Sequence, residues 1–173
     1  KQGKKALFYL IVQYQTDKIE AERTIQMGNG NRGNTMIIKN GLVFTPEGKF
    51  EKKDFYIEGE YVAKETTDNK EVEAEGCYVI PGLVDIHFHG CVRHDMCDGT
   101  EESIQALADY EAANGVLAIC PATMTIPEEE LFQAMNAARE HKNGKGADLV
   151  GINMEGPFVS PHKAGAQNPV FVM

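Results

Sequence analysis

The fold is decided by the stretch PGLVDIHFHG, residues 81–90. A proline-glycine pair opens this stretch, and the apolar run that follows predicts a buried strand over residues 83–89. Successive side chains of a strand point to opposite faces, so Asp85, His87 and His89 share one face. Three ionisable groups on one face of a buried strand are costly unless something pairs them. The stretch therefore predicts both a strand and a polar site.

The sequence after this stretch alternates between helix and strand patterns. It predicts a helix over residues 100–114, a strand over 116–123, a second helix that begins with a capping box of Thr125 and Glu128, and a third strand over 149–155. The apolar face predicted for the first helix comprises Ile104, Leu107, Ala108 and Ala112. Apolar strands that alternate with helices are typical of parallel βαβ units. The fold class is α/β, and both a doubly wound sheet and a (β/α)8 barrel fit.

The chain before Pro81 divides into two parts. Residues 1–35 contain a glycine- and asparagine-rich run and have no clean periodicity, so we expect them to be disordered. Regular patterning starts at Met36, and we expect residues 1–35 to be translated upstream sequence ahead of a natural start at Met36. Residues 36–80 read as a small β region, in which Asn40-Gly41 is the strongest hairpin signal and Pro46-Glu47-Gly48 marks another turn.

Composition and charge narrow the range of partners. The 173 residues carry a net charge of −9, which argues against nucleic acid or an anionic membrane as the main partner. An anionic substrate would need a local cationic or metal site. The four cysteines have no framework spacing, so we expect reduced thiols in the cytoplasm. A zinc cluster of Cys91, His94 and Cys97 is a weaker alternative, because a structural zinc site needs four ligands.

Residues from two strands could share a divalent cation. His87 and His89 end the first strand, and Glu155 ends the third, just before Gly156-Pro157. The carboxyl ends of parallel strands meet at one edge, where ligands bind in α/β folds. Imidazoles are good ligands for Zn²⁺ or Fe²⁺. Exposed histidines at a strand end and a surface glutamate are the plain alternative, which the coincidence of the two motifs disfavours. Asp85 lies deeper and is expected to orient a histidine.

Two motifs resemble a known family. Residues 81–90 resemble the first barrel strand of the amidohydrolase superfamily, a motif shared with dihydroorotases and imidazolonepropionases. Residues 155–158, Ser160-Pro161 and residues 165–169 are similar to the metal-binding motif of N-acetylglucosamine-6-phosphate deacetylases. The resemblance covers residues 36–173. It implies that residues 36–80 begin a small β-sandwich domain and that residues 81–173 form the first three βα units of a truncated (β/α)8 barrel.

The resemblance also implies a site and an activity. Glu155 would bind a metal, with His87 and His89 holding an ion in two-metal members, so one or two ions are expected. Ala166 would touch the sugar through its backbone, and Gln167 stands where many members carry His at a substrate contact. The expected reaction is deacetylation of N-acetylglucosamine 6-phosphate in amino-sugar catabolism.

The catalytic acid/base, an Asp in this family, is expected after Met173, so the chain should be inactive alone. The full-length enzyme is expected to be a cytoplasmic homodimer that acts on a phosphorylated amino sugar. Three alternatives stay open: a deacetylase for the galactosamine epimer, another amidohydrolase, and a noncatalytic truncated module that binds metal or a partner through an unpaired sheet edge.

Overall fold

The computed structural model describes residues 9–13, 35–58, 61–66 and 70–173, with the backbone alone for the first segment. The architecture is mixed α/β, and the chain divides into two compact units, Lys1–Leu83 and Val84–Met173. Most of the predicted upstream segment, residues 1–35, lies outside the described residues. None of the helices in the described part of the chain combines the length and the apolar character that a membrane crossing needs.

The first unit contains one six-stranded sheet. Its strands are β1 (Tyr9–Gln13), β2 (Met36–Phe44), β3 (Phe50–Glu58), β4 (Tyr61–Ala63), β5 (Glu71–Glu73) and β6 (Cys77–Pro81). The strand order is β1-β6-β2-β3-β4, and β5 pairs with the start of β2 beside β6. The β2–β3 hairpin closes where the Thr45 N–H donates to the Lys49 carbonyl at 2.8 Å, so the predicted turn at Pro46-Glu47-Gly48 is confirmed.

The hairpin predicted at Asn40-Gly41 is wrong, because both residues lie inside β2. Asn40 has a φ of 61°, and the β2–β3 register shifts between Ile38 and Gly41. This bulge inserts one residue, so the buried positions change from Met36 and Ile38 before it to Gly41 and Val43 after it. The left-handed conformation that makes Asn-Gly a turn signal here serves a bulge, which leaves the strand continuous on the core side.

The second unit, which β7 enters from its preceding residue, contains a three-stranded sheet, a two-stranded hairpin and two helices. Its elements are β7 (Leu83–Asp85), β8 (Gly90–Cys91), β9 (His94–Asp95), α1 (Glu101–Ala113), β10 (Val116–Ile119), α2 (Glu128–Glu140) and β11 (Asp148–Leu149). Short 3-10 helices lie at Met96–Asp98, Pro161–Lys163 and Pro169–Phe171. The sheet order is β11-β10-β7, and the largest fully buried apolar side chains of this core are Met96, Ile104, Leu107 and Ile119.

The strands of this sheet are shorter than predicted. The middle strand ends at Ile119 instead of continuing to residue 123, and the third strand ends at Leu149 instead of Glu155. Pro121 has no N–H to donate, so the ladder between β10 and β11 is interrupted there. Pairing resumes as an isolated parallel bridge between Ala122 and Asn153. Glu155 is therefore still delivered to the edge of the sheet, but by an irregular extended segment.

The two helices differ in how they begin. Thr100 caps α1, accepting a hydrogen bond from the Ser103 N–H at 3.1 Å, and the predicted apolar face of α1 is buried. The capping box predicted for Thr125 and Glu128 is wrong: Pro127 is the N-cap of α2, and no side chain caps it. Thr125 lies too early for a cap and is buried instead. Three glutamates in the first turn of α2 complement the helix dipole.

Candidate metal centre

Three neighbouring segments bring the predicted ligands to one edge. The Cys120 N–H donates to the Asp85 carbonyl at 2.8 Å, the Ala122 N–H donates to the Phe88 carbonyl at 2.6 Å, and the Asn153 N–H donates to the Pro121 carbonyl at 3.0 Å. These bonds advance in the same direction along all three segments. The residues that follow each segment therefore emerge at a common edge, as expected for parallel strands.

The structure brings His87, His89 and Glu155 together at this edge. The Oε2 atom of Glu155 lies 3.4 Å from Nε2 of His87 and 3.2 Å from Nε2 of His89. The two imidazole rings meet edge to face, with centroids 5.2 Å apart. One candidate ligand atom from each residue lies within 4.8 Å of the other two. The side chains are 49%, 36% and 35% exposed respectively, so the cluster is open to a solute.

The spacing of these atoms fits a bound cation. Zinc–nitrogen and zinc–oxygen bonds of about 2.0–2.1 Å at a tetrahedral angle place neighbouring ligand atoms about 3.3–3.4 Å apart. Both observed nitrogen–oxygen distances lie close to that value. A protonated imidazole that donates to the carboxylate would give a similar distance, and the two cases differ in whether they require an ion. Two nitrogens and one carboxylate oxygen form a donor set that can hold a divalent metal.

Asp85 acts on the backbone of this cluster. Its carboxylate accepts a hydrogen bond from the backbone N–H of His87 at 2.9 Å. The predicted role was to orient a histidine ring, whereas the observed contact fixes the peptide that carries the side chain. Such a local side-chain bond competes with the sheet ladder, which explains why β7 ends at Asp85 and not at His89, as predicted.

The second oxygen of Glu155 is held by Gln167. The Nε2 atom of Gln167 donates to Oε1 of Glu155 at 2.7 Å, and its Oε1 accepts from the Thr125 N–H at 2.6 Å. Gln167 is 6% exposed, whereas its neighbour Ala166 is exposed. The two residues predicted to contact substrate therefore occupy different environments. Sequence patterns gave no signal for this bond, because the loop between Glu155 and Gln167 has no periodicity that fixes its path.

Gly156 allows the loop to leave the metal centre. It has a φ of 82°, which disfavours any other residue. A Cβ atom at this position would overlap the side chain of Thr125. Glu155 is therefore followed by a glycine for two local reasons, one conformational and one steric.

The alternative zinc cluster does not form among the described residues. Nδ1 of His94 lies 3.1 Å from the Ser103 hydroxyl, and the Cys97 sulfur accepts from the Met124 N–H at 3.2 Å. Burial raises the pKa of the Cys97 thiol to about 11, which disfavours the thiolate that zinc requires. In the described part of the chain, His87, His89 and Glu155 are the one group of three or more residues with metal-ligand spacing.

Comparisons with known proteins agree with the motifs. No protein-family model matches the chain. It is 34% identical over 137 residues to the N-acetylglucosamine-6-phosphate deacetylase of Bacillus subtilis, a match that covers 76% of this chain and 33% of that protein. It is 28% identical over 138 residues to the N-acetylgalactosamine-6-phosphate deacetylase of Escherichia coli O157:H7, covering 78% of this chain and 37% of the relative.

Solved structures share the fold. The N-acetylglucosamine-6-phosphate deacetylase of Pasteurella multocida superposes with a TM-score of 0.71 at 17% identity, covering 81% of this chain and 39% of that one. A mutant of the Mycobacterium smegmatis enzyme, in complex with N-acetyl-D-glucosamine-6-phosphate, superposes with a TM-score of 0.66 at 23% identity, covering 82% of this chain and 38% of that one. At these identities the likeness concerns the fold alone.

The fold and the three-residue cluster define a class: this chain resembles part of a metal-dependent hydrolase of the amidohydrolase type. Within that class it is similar to the N-acetylglucosamine-6-phosphate deacetylases, so the resemblance predicted from residues 81–90 and 155–169 is confirmed. The chain spans about a third of the length of the curated relatives that it matches.

Proposed function

We propose that the chain is part of a deacetylase that hydrolyses N-acetylglucosamine 6-phosphate to glucosamine 6-phosphate and acetate. The observation that carries the proposal is the convergence of His87, His89 and Glu155 at the carboxyl edge of the sheet. The similarity to deacetylases of this specificity gives the substrate class. We extend the proposal to the architecture, in which residues 81–173 would form the first three βα units of a (β/α)8 barrel.

In this proposal His87, His89 and Glu155 hold one or two divalent ions, with Zn²⁺ or Fe²⁺ as the candidates. When bound, such an ion supplies Lewis-acid activation of water and of the acetamide carbonyl. Glu155 contributes negative charge that favours a cation, and the partial exposure of all three side chains leaves room for a substrate. Ala166, exposed beside the buried Gln167, is the residue of this loop that we assign to sugar contact.

The reaction needs a proton donor besides these ligands. The oxygen of water forms a bond to the acetyl carbon, the carbon–nitrogen bond breaks, and the leaving amine takes a proton. The sequence contains no Asp or Glu after Glu155. We therefore propose that an acid/base carboxylate outside these 173 residues protonates the amine, and that the residues of this chain alone do not complete the reaction.

Acetate release tests the proposal. The polypeptide, in the length at which the cell makes it, is incubated with Zn²⁺ or Fe²⁺ and N-acetylglucosamine 6-phosphate. We expect metal-dependent acetate release that falls at least about 100-fold in Glu155→Gln, the scale expected when a group that stabilises transition-state charge is lost. A higher rate with N-acetylgalactosamine 6-phosphate would reassign the sugar, a second candidate favoured by the similarity to the deacetylase of that epimer. Release from neither sugar would refute the proposal.

The compartment and assembly belong to the same proposal. All four cysteines are free thiols, which fits the reducing cytoplasm. The homodimer rests on the resemblance to the deacetylase family. Sedimentation of the purified enzyme tests it, and a monomer at micromolar concentration would overturn it.

A further inference from the structure

We propose that Gln167 is a positioning residue that holds the Glu155 carboxylate in the orientation in which it faces His87 and His89. The inference rests on the proposed function, because it treats Glu155 as a metal ligand. It differs from the role implied by family resemblance, in which Gln167 contacts the substrate.

The orientation of the Gln167 amide is fixed from both ends. The Thr125 backbone N–H can only donate, so the amide oxygen must face it, as observed at 2.6 Å. The amide NH₂ group then points at Glu155 and donates to Oε1 at 2.7 Å. Because the reversed amide would put two donors together and two acceptors together, the bonds to Thr125 and Glu155 select one arrangement.

The two oxygens of Glu155 are thereby assigned to different tasks. Oε1 accepts from Gln167, while Oε2 faces Nε2 of His87 and of His89. A carboxylate on a half-exposed glutamate would otherwise rotate freely about its last torsion. A charge-assisted hydrogen bond from a buried amide restricts that rotation, so Gln167 presents one oxygen to the ion.

The burial of Gln167 argues against direct substrate contact. The side chain is 6% exposed, and both polar ends of its amide are engaged within the protein. A second contact from Nε2 reaches the Met124 sulfur at 3.7 Å. Ala166, which precedes it, is exposed and is the residue of the pair that a sugar can reach.

Metal affinity tests the inference without a rate measurement. Co²⁺ is titrated into the purified chain and followed by calorimetry and by the visible absorption of the bound ion. Gln167→Met keeps the volume but removes both hydrogen bonds, and we expect its affinity to fall about 10–100-fold with an altered spectrum, the range for partners that orient metal ligands. Gln167→Glu keeps the shape and the acceptor for Thr125 but not the donor, and we expect a similar loss.

Two comparisons separate positioning from a general loss of structure. Gln105→Met removes the bonds from that residue to Asp109 and to the Lys145 carbonyl, which lie outside the cluster, and should leave Co²⁺ affinity unchanged. In a Glu155→Gln background, Gln167→Met should cost little further affinity, because the group through which it acts has been altered. Additive losses in this cycle, or wild-type affinity in Gln167→Met, would overturn the inference.

A metal-free measurement keeps this inference distinct from the proposed function. In the nuclear magnetic resonance spectrum of the purified chain without metal, the side-chain amide signals of Gln167 should shift on Glu155→Ala but not on Glu128→Ala. A chain that shows this shift yet binds no Co²⁺ would refute the metal site and retain the contact. Signals that are insensitive to Glu155→Ala would refute the positioning role, whatever the chain binds.

Discussion

Nε2 of His89 lies 3.2 Å from Oε2 of Glu155, although the two residues follow different strand segments. The segment 120–123 lies between them and makes backbone hydrogen bonds to both sides. The spacing of the cluster is therefore set by a backbone ladder. An ion that enters should find its ligands close to their bound positions, which reduces the ordering cost of binding.

Metal should stabilise the chain through these ligands. A ligand that binds the native state alone raises the free energy of unfolding by about 2.7 kcal/mol at 100 times its dissociation constant. We expect Zn²⁺ to raise the melting temperature of the wild-type chain and not that of the His87→Ala, His89→Ala, Glu155→Ala variant. Differential scanning calorimetry with and without a chelator measures the effect.

The control for this experiment is a variant at exposed helix residues, Glu102→Ala with Glu140→Ala, which should respond to Zn²⁺ as the wild type does. If the triple variant kept the full stabilisation, the ion would have to bind at another site.

Gly156→Ala should destabilise the chain strongly. The substitution places a Cβ atom at a φ of 82° and against Thr125, so conformational strain and overlap add to about 2–4 kcal/mol. Gly165→Ala is the matched control: its φ is 61° and no atom lies within 4 Å of the added Cβ, so about 1–2 kcal/mol is expected. Urea denaturation compares the two, and equal losses would show that the overlap is relieved.

Glu111→Gln should flatten the pH dependence of stability. The pKa of Glu111 is raised above its ordinary value of 4.5, first by burial and second by the nearby charge of Asp85. A raised native-state pKa means that the native state holds a proton which the unfolded state has released. Stability from this group is complete below the ordinary pKa and falls as the pH rises through the raised value. The advantage of Glu111→Gln over wild type should therefore grow from about pH 4 towards neutrality.

Urea unfolding at a series of pH values measures this change. Glu102→Gln, at an exposed position of the same helix, serves as the control and should follow the wild-type curve. Parallel curves for Glu111→Gln and wild type would contradict the assignment.

Thr100→Ala should cost about 1 kcal/mol, because the Thr100 hydroxyl accepts the Ser103 N–H at the start of α1. Thr100→Ser retains the acceptor and should lose only a few tenths of a kcal/mol. Thermal unfolding of both variants checks the assignment. A Thr100→Ser variant as unstable as Thr100→Ala would show that packing, and not capping, is the contribution of this residue.

Local chemistry in the sequence was enough to predict several elements. The apolar period over residues 100–114 and the threonine at its start predicted α1, which the structure has at Glu101–Ala113 with Thr100 as its cap. Both signals act within one helical turn, so distant residues do not alter them. The turn at Pro46-Glu47-Gly48 was predictable for the same reason, since it closes through bonds between Thr45, Gly48 and Lys49.

Side-chain alternation in the stretch PGLVDIHFHG, with a glutamate before Gly-Pro, determined from sequence alone that His87, His89 and Glu155 were candidates to meet at one edge. Only the tertiary structure decided how they are held. Pro121 breaks the ladder that would have carried a regular strand to Glu155, and Gln167 reaches that carboxylate from an aperiodic loop. The physical reason is range: periodicity reports which face a side chain takes within its own segment, whereas contacts between segments depend on where the whole chain packs.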